Sequence, residues 1–288
     1  MGPEEIMQHH AGVLVVRKFR HLRNSWSQLV RDGALIRALP GVVMDPGLAQ
    51  DATAWMRAVS LWNPNAGIAG SAAALLTIDP EIKVDTVDVY ANTKLANRGM
   101  LRFHRKQLPS DLLEYKADVR VTHATATALT AALQDDLEPA TTAFRKKVVT
   151  VGQLTALANQ WPLLGSAHAP REVAQRLSRN PWSVAEVQFH DLLRQAGISG
   201  WEGNAQVVID GRKRWVDVLV KESRVGIEIN SFEHHSGKSE MERDYGRLNE
   251  LTRDGWRMYS LTPSQIRDFP QETMAFVQGI VGPRHRRR

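Results

Sequence analysis

The chain has 288 residues, no cysteine and a formal net charge of +6. This length allows more than one buried core, and the absence of cysteine excludes disulfides, thiolate metal ligands and a cysteine nucleophile. Four of the positive charges are arginines of the terminal RHRRR sequence, so the overall charge says little about nucleic acid. The acidic first residues and the lack of a long apolar run predict a cytoplasmic protein without a targeting segment or membrane span.

The first 46 residues predict three short helices followed by a β-hairpin. PEEIMQHH begins with a proline at a first-turn position and two acids that suit the helix dipole, and VVRKFRHL follows as the second helix. NSWSQLVRDG is the third helix, with Asn24 or Ser25 as the N-cap and Gly33 as the stop. The runs ALIRAL and GVVMD, on either side of Pro40 and Gly41, are typical of two strands joined by a turn.

Basic residues are concentrated in this first segment. Between residues 17 and 37 there is a single acid, Asp32, against six basic side chains: Arg17, Lys18, Arg20, Arg23, Arg31 and Arg37. A local basic patch of this kind is typical of a nucleic-acid-binding surface, and a solvated helix face is the alternative interpretation.

Residues 47–180 predict a mixed α+β segment. The sequences DATAWMRAVSLW, GSAAALLTI, ATATALTAALQDD and TVGQLTALANQW have helical periodicity, whereas VDTVDVYA and LRFHRKQ alternate as strands do. SAHAPREVAQRLSRNPWS then adds a helix and a proline-containing junction. We therefore expect a middle domain between the basic segment and the last hundred residues.

The last hundred residues predict the element order αβββαβ. SVAEVQFHDLLRQAG is a helix with Ser183 as the N-cap and Glu186 three residues later. AQVVIDGRKRWVDVLV contains two strands joined by Asp210 and Gly211, a strong hairpin motif, and RVGIEIN is a third strand. SEMERDYGRLNELTRDG is a helix that ends at Gly255, WRMYSL is a fourth strand, and TPSQI opens a last helix.

Two acidic side chains interrupt the apolar strands of this last segment. Asp217 lies in RWVDVLV and Glu228 lies in VGIEIN, on strands that are expected to be neighbours. A carboxylate in such a context is costly unless it is paired, hydrogen-bonded or bound to a metal. A nearby arginine is one solution, and a magnesium ion held by two convergent carboxylates is the other.

About residues 181–270 resemble the very-short-patch-repair branch of the PD-(D/E)XK nuclease superfamily. The features that carry this resemblance are, in chain order, Glu186, Gln206, Asp217, the EIN sequence at Glu228, His235 and the segment RDYGRLNELTRDGWRMYSLT. Their order and spacing together make the resemblance specific. The resemblance implies a restriction-endonuclease-like fold that hydrolyses phosphodiester bonds in DNA with Mg²⁺ or Mn²⁺ as its cofactor.

The same resemblance implies roles for five side chains. Asp217 and Glu228 are the expected metal ligands, and Glu186 is a third acid that acts directly or through water. His235 is expected near the attacking water or the scissile phosphate, and Gln206 is expected to orient water or a ligand. A bound metal ion lowers the pKa of water and offsets phosphate charge, while a histidine transfers protons near neutral pH.

Several of these candidates have structural alternatives. Glu186 also fits the acid of a capping box, and His235 falls in a turn where surface histidines are common. Arg243 and Arg247 on the following helix are candidates for phosphate contacts, but such charges are also typical of a solvated helix face. Asn230 stands where the superfamily usually has lysine or an acid, which predicts weaker metal binding and leaves a degenerate fold as the alternative.

About residues 3–140 resemble the winged-helix antitoxins of abortive-infection type IV toxin-antitoxin systems. DGALIRALPGVV matches the wing, and GIAGSAAALL matches the helix that opens the middle domain. The third helix is then expected to enter the major groove of DNA, with Gln28 as the best base reader because an amide pairs bidentately with adenine. The groove-facing candidates are Ser25, Ser27, Gln28 and Arg31, and the phosphate-contacting candidates are Arg17, Lys18, Arg20 and Arg23.

The sequence therefore predicts an α/β multidomain protein: a winged helix at 1–46, an α+β middle domain at 47–180, and a nuclease-like domain with a basic tail at 181–288. Two functions stay open: a DNA-binding, metal-dependent endonuclease, or an antitoxin and transcriptional autorepressor whose nuclease fold is not catalytic. The expected partners are DNA and, for the second function, a nucleotidyltransferase-like toxin. A homodimer is a further expectation, because palindromic DNA sites suit two-fold proteins.

Overall fold

The computed structural model of the chain describes residues 2–161, 168–230 and 238–282, with the side chains of 168 and 238–245 left undescribed. The described residues form a mixed α/β protein with three β-sheets, which confirms the predicted α/β class. The chain divides into two compact units, Met1–Pro170 and Arg171–Arg288. The expected boundary at residue 47 falls inside the first unit. No helix in the described part of the chain is long and apolar enough to cross a membrane.

The beginning of the first unit has three helical segments and a three-stranded antiparallel sheet. The elements are α1 (Pro3–His9), β1 (Val13–Val15), a 3-10 helix (Val16–Leu22), α2 (Arg23–Arg31), β2 (Ile36–Leu39) and β3 (Val42–Met44). The strand order is β1-β3-β2. The second predicted helix is therefore a 3-10 helix, and Phe19 interrupts it with non-helical dihedral angles. Strand β1 was not among the predicted elements.

Strand β1 contributes to two cores because successive side chains of a strand point to opposite faces. Leu14 packs with Trp26 of α2 in a small cluster at the start of the chain. Val13 and Met44 belong to a larger cluster that includes Trp55 of the next helix. The small basic segment and the middle segment therefore share a core within the first unit.

The rest of the first unit is built around a five-stranded mixed sheet with strand order β6-β5-β4-β8-β7. Its elements are α3 (Ala52–Trp62), β4 (Gly67–Ala69), α4 (Gly70–Thr77), β5 (Val87–Tyr90), β6 (Leu101–His104), β7 (Leu113–Lys116), β8 (Val119–Thr122), α5 (Ala124–Ala132), α6 (Glu138–Arg145) and α7 (Val151–Gln160). The predicted helices and strands of this segment are all present. Strands β4, β7 and β8 and helix α6 are additional to them.

Helix α8 (His168–Arg176) precedes the main elements of the second unit, which follow the predicted order αβββαβ. These are α9 (Val184–Gln195), β9 (Trp201–Ile209), β10 (Arg212–Val220), β11 (Val225–Ile229), α10 (Lys238–Arg253) and β12 (Arg257–Leu261), followed by α11 (Pro263–Asp268) and α12 (Pro270–Val281). The sheet order is β12-β11-β10-β9, and only β11 and β12 are parallel. Asp210 and Gly211 both have positive φ and form the tight turn between β9 and β10, as predicted.

Candidate functional site

Acidic side chains from α9, β10 and β11 form the first candidate site, which we call the acidic cluster: Glu186, Asp217 and Glu228. Val218 of β10 pairs with Ile227 of β11 in the antiparallel ladder, so the next residues, Asp217 and Glu228, occupy opposite positions. The charge of Asp217 also acts on Glu186. The three acids singled out from the sequence are therefore neighbours.

Glu186 is held in place from its own helix and from strand β9. Its backbone N–H donates to Ser183 Oγ at 3.2 Å, which confirms Ser183 as the N-cap. Its carboxylate accepts hydrogen bonds from Trp182 N at 2.8 Å and from the amide of Asn204. Burial, together with the charge of Asp217, raises the pKa of Glu186 to about 7 although these hydrogen bonds oppose the rise. The carboxyl group can therefore gain or lose a proton near neutral pH.

Asp217 faces both the strand β11 backbone and a nearby arginine. Its Oδ2 accepts a hydrogen bond from Ile229 N at 2.7 Å. Burial raises the pKa of Asp217, and the hydrogen bond from Ile229 and the positive charge of Arg247 partly offset this effect. Because it accepts a backbone hydrogen bond from the end of β11, the carboxylate of Asp217 has a structural role in addition to any chemical one.

Glu228 is buried and forms a two-pronged ion pair with Arg247 of α10. Arg247 Nη1 donates to Glu228 Oε1 at 2.8 Å, and Nη2 donates to Oε2 at 3.3 Å. Nη1 also donates to the carbonyl oxygen of Trp215 at 2.9 Å. Arg247 was a candidate for phosphate contact, but the structure places its guanidinium on Glu228. This is the arginine-paired alternative for a buried acid.

A divalent cation at the acidic cluster would compete with Arg247 for Glu228. Mg²⁺ and Mn²⁺ coordinate carboxylate oxygens, and both oxygens of Glu228 accept hydrogen bonds from Arg247. Among the side chains that the structure describes, no group of three histidine or acidic residues is arranged to hold a metal ion. His235 and the side chain of Arg243 lie outside the described residues.

Two other residues that were singled out from the sequence are placed against neighbouring strands. Gln206 is exposed on β9 and pairs with Trp215 across the ladder. Asn230 Nδ2 donates to Ser260 Oγ of β12 at 3.2 Å. The amide of Asn230 is therefore directed to the neighbouring strand by this contact.

Sequence reasoning missed two buried polar residues beside the cluster. Asn204 has a positive φ in the middle of β9, and its amide reaches both Glu186 and the carbonyl oxygen of Asn180. His190 is fully buried against Trp201, and burial lowers the pKa of His190 to about 3, with Arg194 and Arg179 adding to the effect. An asparagine within an otherwise strand-like run is a pattern that could have drawn attention to this site.

A second candidate site is a cavity in the basic segment, which we call the arginine cavity. It has a volume of about 600 Å³ and lies between the 3-10 helix, α2 and the β2-β3 hairpin. Four arginines line it: Arg17, Arg20, Arg23 and Arg37. Within the described part of the chain, none of the four forms an ion pair or donates a side-chain hydrogen bond. Their positive charges are therefore available to an anionic ligand.

The predicted DNA-contacting residues are divided between two faces of α2. Ser27 lines the arginine cavity, whereas Ser25, Gln28 and Arg31 line a separate cavity on the side of α1. Gln28 Nε2 donates to the two carboxylate oxygens of Asp32 at 2.7 and 2.9 Å, and its Oε1 accepts from Arg31 at 2.5 Å. Gln28, the expected base reader, is therefore already hydrogen-bonded to two neighbours on the surface of α2. Lys18 is exposed and does not line the arginine cavity.

Comparison with known proteins does not supply a family for the chain. No protein-family model matches it, and no curated protein matches it. The two sites therefore rest on their own geometry.

Proposed function

We propose that the chain is a DNA-binding protein and that its first 46 residues form a winged helix. The support is the element order of this segment, helix, strand, two helical segments and a hairpin, with the sheet order β1-β3-β2. The hairpin is the expected wing, and α2 is the expected recognition helix. The observation that carries the proposal is the arginine cavity.

The four arginines line one cavity, are exposed and have no acidic partner among the described residues, so an anion can bind them without displacing another group. Phosphate groups of nucleic acid match the planar guanidinium group, which binds two phosphate oxygens at once. The arginines come from the 3-10 helix, α2 and the hairpin, so one bound strand would join all three elements. This arrangement supports contacts with the phosphate backbone of DNA, which position the protein. Recognition of a DNA sequence by α2 depends instead on contacts with the bases.

A binding assay tests this proposal directly. Fluorescence anisotropy of a labelled duplex is measured for the wild type and for the variant in which Arg17, Arg20, Arg23 and Arg37 are all alanine. A control variant loses four exposed lysines elsewhere: Lys83, Lys94, Lys116 and Lys213. We expect the arginine variant to lose at least about tenfold in affinity and the control to lose much less. Equal losses in the two variants contradict the proposal, because general charge would then explain binding.

For the second unit we propose a restriction-endonuclease-like fold of the PD-(D/E)XK kind. The element order αβββαβ supports this fold. Strands β9, β10 and β11 are antiparallel neighbours, and the final strand, β12, is parallel to β11. The Arg247–Glu228 pair favours a regulator whose nuclease fold is not catalytic over a metal-dependent endonuclease. A regulator of the antitoxin kind is then expected to bind DNA through the first unit and a nucleotidyltransferase-like toxin as its protein partner.

Endonuclease activity is the second candidate function, and one observation favours it. Glu186 has a pKa of about 7 beside a second, half-buried carboxyl group, Asp217, which is typical of sites that transfer protons. Cleavage of supercoiled plasmid with Mg²⁺, Mn²⁺ or EDTA separates the two functions. Metal-dependent cleavage that is lost in Asp217→Ala and Glu228→Ala supports the endonuclease, and DNA binding without cleavage supports the regulator.

A further inference from the structure

A polar cluster in the five-stranded sheet of the first unit was not anticipated from the sequence. Asp88 of β5 is buried, and Arg102 of β6 donates to its two carboxylate oxygens at 2.6 and 2.8 Å. His104 Nε2 lies 2.6 Å from Asp88 Oδ1. The parallel register aligns Asp88 with Arg102 and Tyr90 with His104, so all four belong to one patch of the sheet.

The charges within this cluster are fixed by mutual contacts. Burial acts to raise the pKa of Asp88, but the hydrogen bonds with His104 and Arg102 outweigh it and hold the pKa below its ordinary value. The ring of His104 stacks on the ring of Tyr90, with centroids 4.4 Å apart and planes within 12°. A buried carboxylate thus orients two side chains, which lowers the entropy cost of binding a ligand with them.

Arg102 also orients the side chain of Gln134, which follows helix α5. Arg102 donates a hydrogen bond to Gln134 Oε1, and this fixes which way the amide points. The other amide atom, Gln134 Nε2, is buried and has no hydrogen-bond partner in the described part of the chain. A buried donor left without a partner is costly, and a bound ligand is one way to satisfy it.

The cluster borders a cavity of about 510 Å³, which we call the sheet cavity. Its walls include Tyr90, His104, Arg105, Lys106, Gln134 and Trp161, with no acidic residue among the described lining. Arg105 and Lys106 are exposed and form no ion pair among the residues that the structure describes. The cavity therefore combines positive charge at its mouth, an unsatisfied amide donor and aromatic walls.

We infer that the sheet cavity binds a nucleotide, with its phosphate at Arg105 and Lys106 and its base near Tyr90 and Trp161. Arginine and lysine are the usual partners of phosphate, and aromatic side chains accept a base without regard to its identity. Gln134 lines the same cavity, and its buried Nε2 is a donor without a partner among the described residues. The volume of the sheet cavity lies within the range that is typical of small-molecule sites, about 300–1,000 Å³. The site shares no residue with the arginine cavity or the acidic cluster.

Isothermal titration calorimetry of the full chain tests this site with AMP, ATP, adenosine and inorganic phosphate. We expect AMP and ATP to bind, and adenosine and inorganic phosphate each to bind at least about tenfold more weakly, a difference of about 1.4 kcal/mol. A phosphorylated and an unphosphorylated single-stranded oligonucleotide then show whether the nucleotide is free or the end of a strand. The absence of binding by every phosphate-bearing probe up to about 10 mM overturns the inference.

Two variants connect binding to this cavity. The double variant Arg105→Ala, Lys106→Ala changes only exposed side chains, and its matched control is Lys83→Ala, Lys94→Ala, which lies outside the cavity. Gln134→Glu keeps an oxygen for Arg102 but replaces the free donor with a negative oxygen. We expect both cavity variants to lose at least about tenfold in AMP affinity and the control to bind as the wild type does. Unchanged affinity in both cavity variants contradicts the site.

The arginine-cavity variant separates this site from the proposed function. With Arg17, Arg20, Arg23 and Arg37 replaced by alanine, AMP binding is expected to remain at the wild-type level. Loss of duplex binding with AMP binding retained leaves both proposals standing. Loss of AMP binding in that variant assigns the nucleotide to the arginine cavity and overturns the sheet cavity as its site.

Discussion

Removal of the Arg247 guanidinium tests the interpretation of the acidic cluster most directly. Arg247→Met keeps the apolar stem and removes the guanidinium that pairs with the buried carboxylate of Glu228. Arg247 makes two hydrogen bonds to Glu228 and one to Trp215, and its side chain is only 25% exposed. Breaking one side of a buried ion pair costs about 3–5 kcal/mol, and the partial exposure of Arg247 places the expected loss at about 3 kcal/mol.

The assay measures amide hydrogen exchange in β10 and β11 at increasing urea concentrations. It reports the unfolding free energy of this unit in the full chain. Glu228→Gln in the Arg247→Met background removes the buried negative charge, so we expect the double variant to be more stable than Arg247→Met alone. The expected coupling energy of the cycle is about 2 kcal/mol. Arg253→Met is the control on the same helix, because its partner Asp210 is exposed and the pair contributes little. A coupling energy near zero refutes a stabilising pair between Arg247 and Glu228.

Three other predictions concern Glu186, two glycines and the arginine cavity. The pKa of Glu186 is about 7 when folded, above its ordinary 4.5, so the folded chain keeps a proton that the unfolded chain has already released. The contribution of Glu186 to stability, at most about 3 kcal/mol, is therefore expected to be lost as pH rises from about 4.5 through 7, and pH-dependent urea unfolding of Glu186→Gln is expected to lack this loss. A Cβ at Gly203 would lie 2.1 Å from a backbone oxygen, so Gly203→Ala is expected to cost about 2 kcal/mol in the same unfolding assay. Gly246→Ala, at an open helical position, is expected to increase the free energy of unfolding by up to about 1 kcal/mol. Equal effects at the two glycines contradict the close approach of Gly203 to the carbonyl oxygen of Arg179. For duplex binding, each of Arg20→Ala and Arg37→Ala is expected to reduce the slope of log affinity against log salt by about 0.9, and an unchanged slope contradicts phosphate contact.

Local patterns were sufficient for most helices and for the strands of the second unit. The capping residue Ser183 and the Asp210-Gly211 turn act through backbone groups only a few residues away, so the sequence displays them directly. Strands of nine residues such as β9 and β10 also alternate long enough to be recognised. The three-residue strands β1 and β4 are too short to show any period, and the sequence did not distinguish them from loops.

The sequence by itself determined the α/β class, the order αβββαβ and the identity of the acids, because these depend on residue type and short-range periodicity. Only the tertiary structure decided the partners of those acids. Arg247 reaches Glu228 across 19 positions, and Arg102 reaches Asp88 through the parallel register of β5 and β6. The same distinction holds for the arginines of the first segment, whose clustering was visible in the sequence but whose common cavity was not. A charge pattern shows which groups must be satisfied, but strand register and helix packing determine which group satisfies each one.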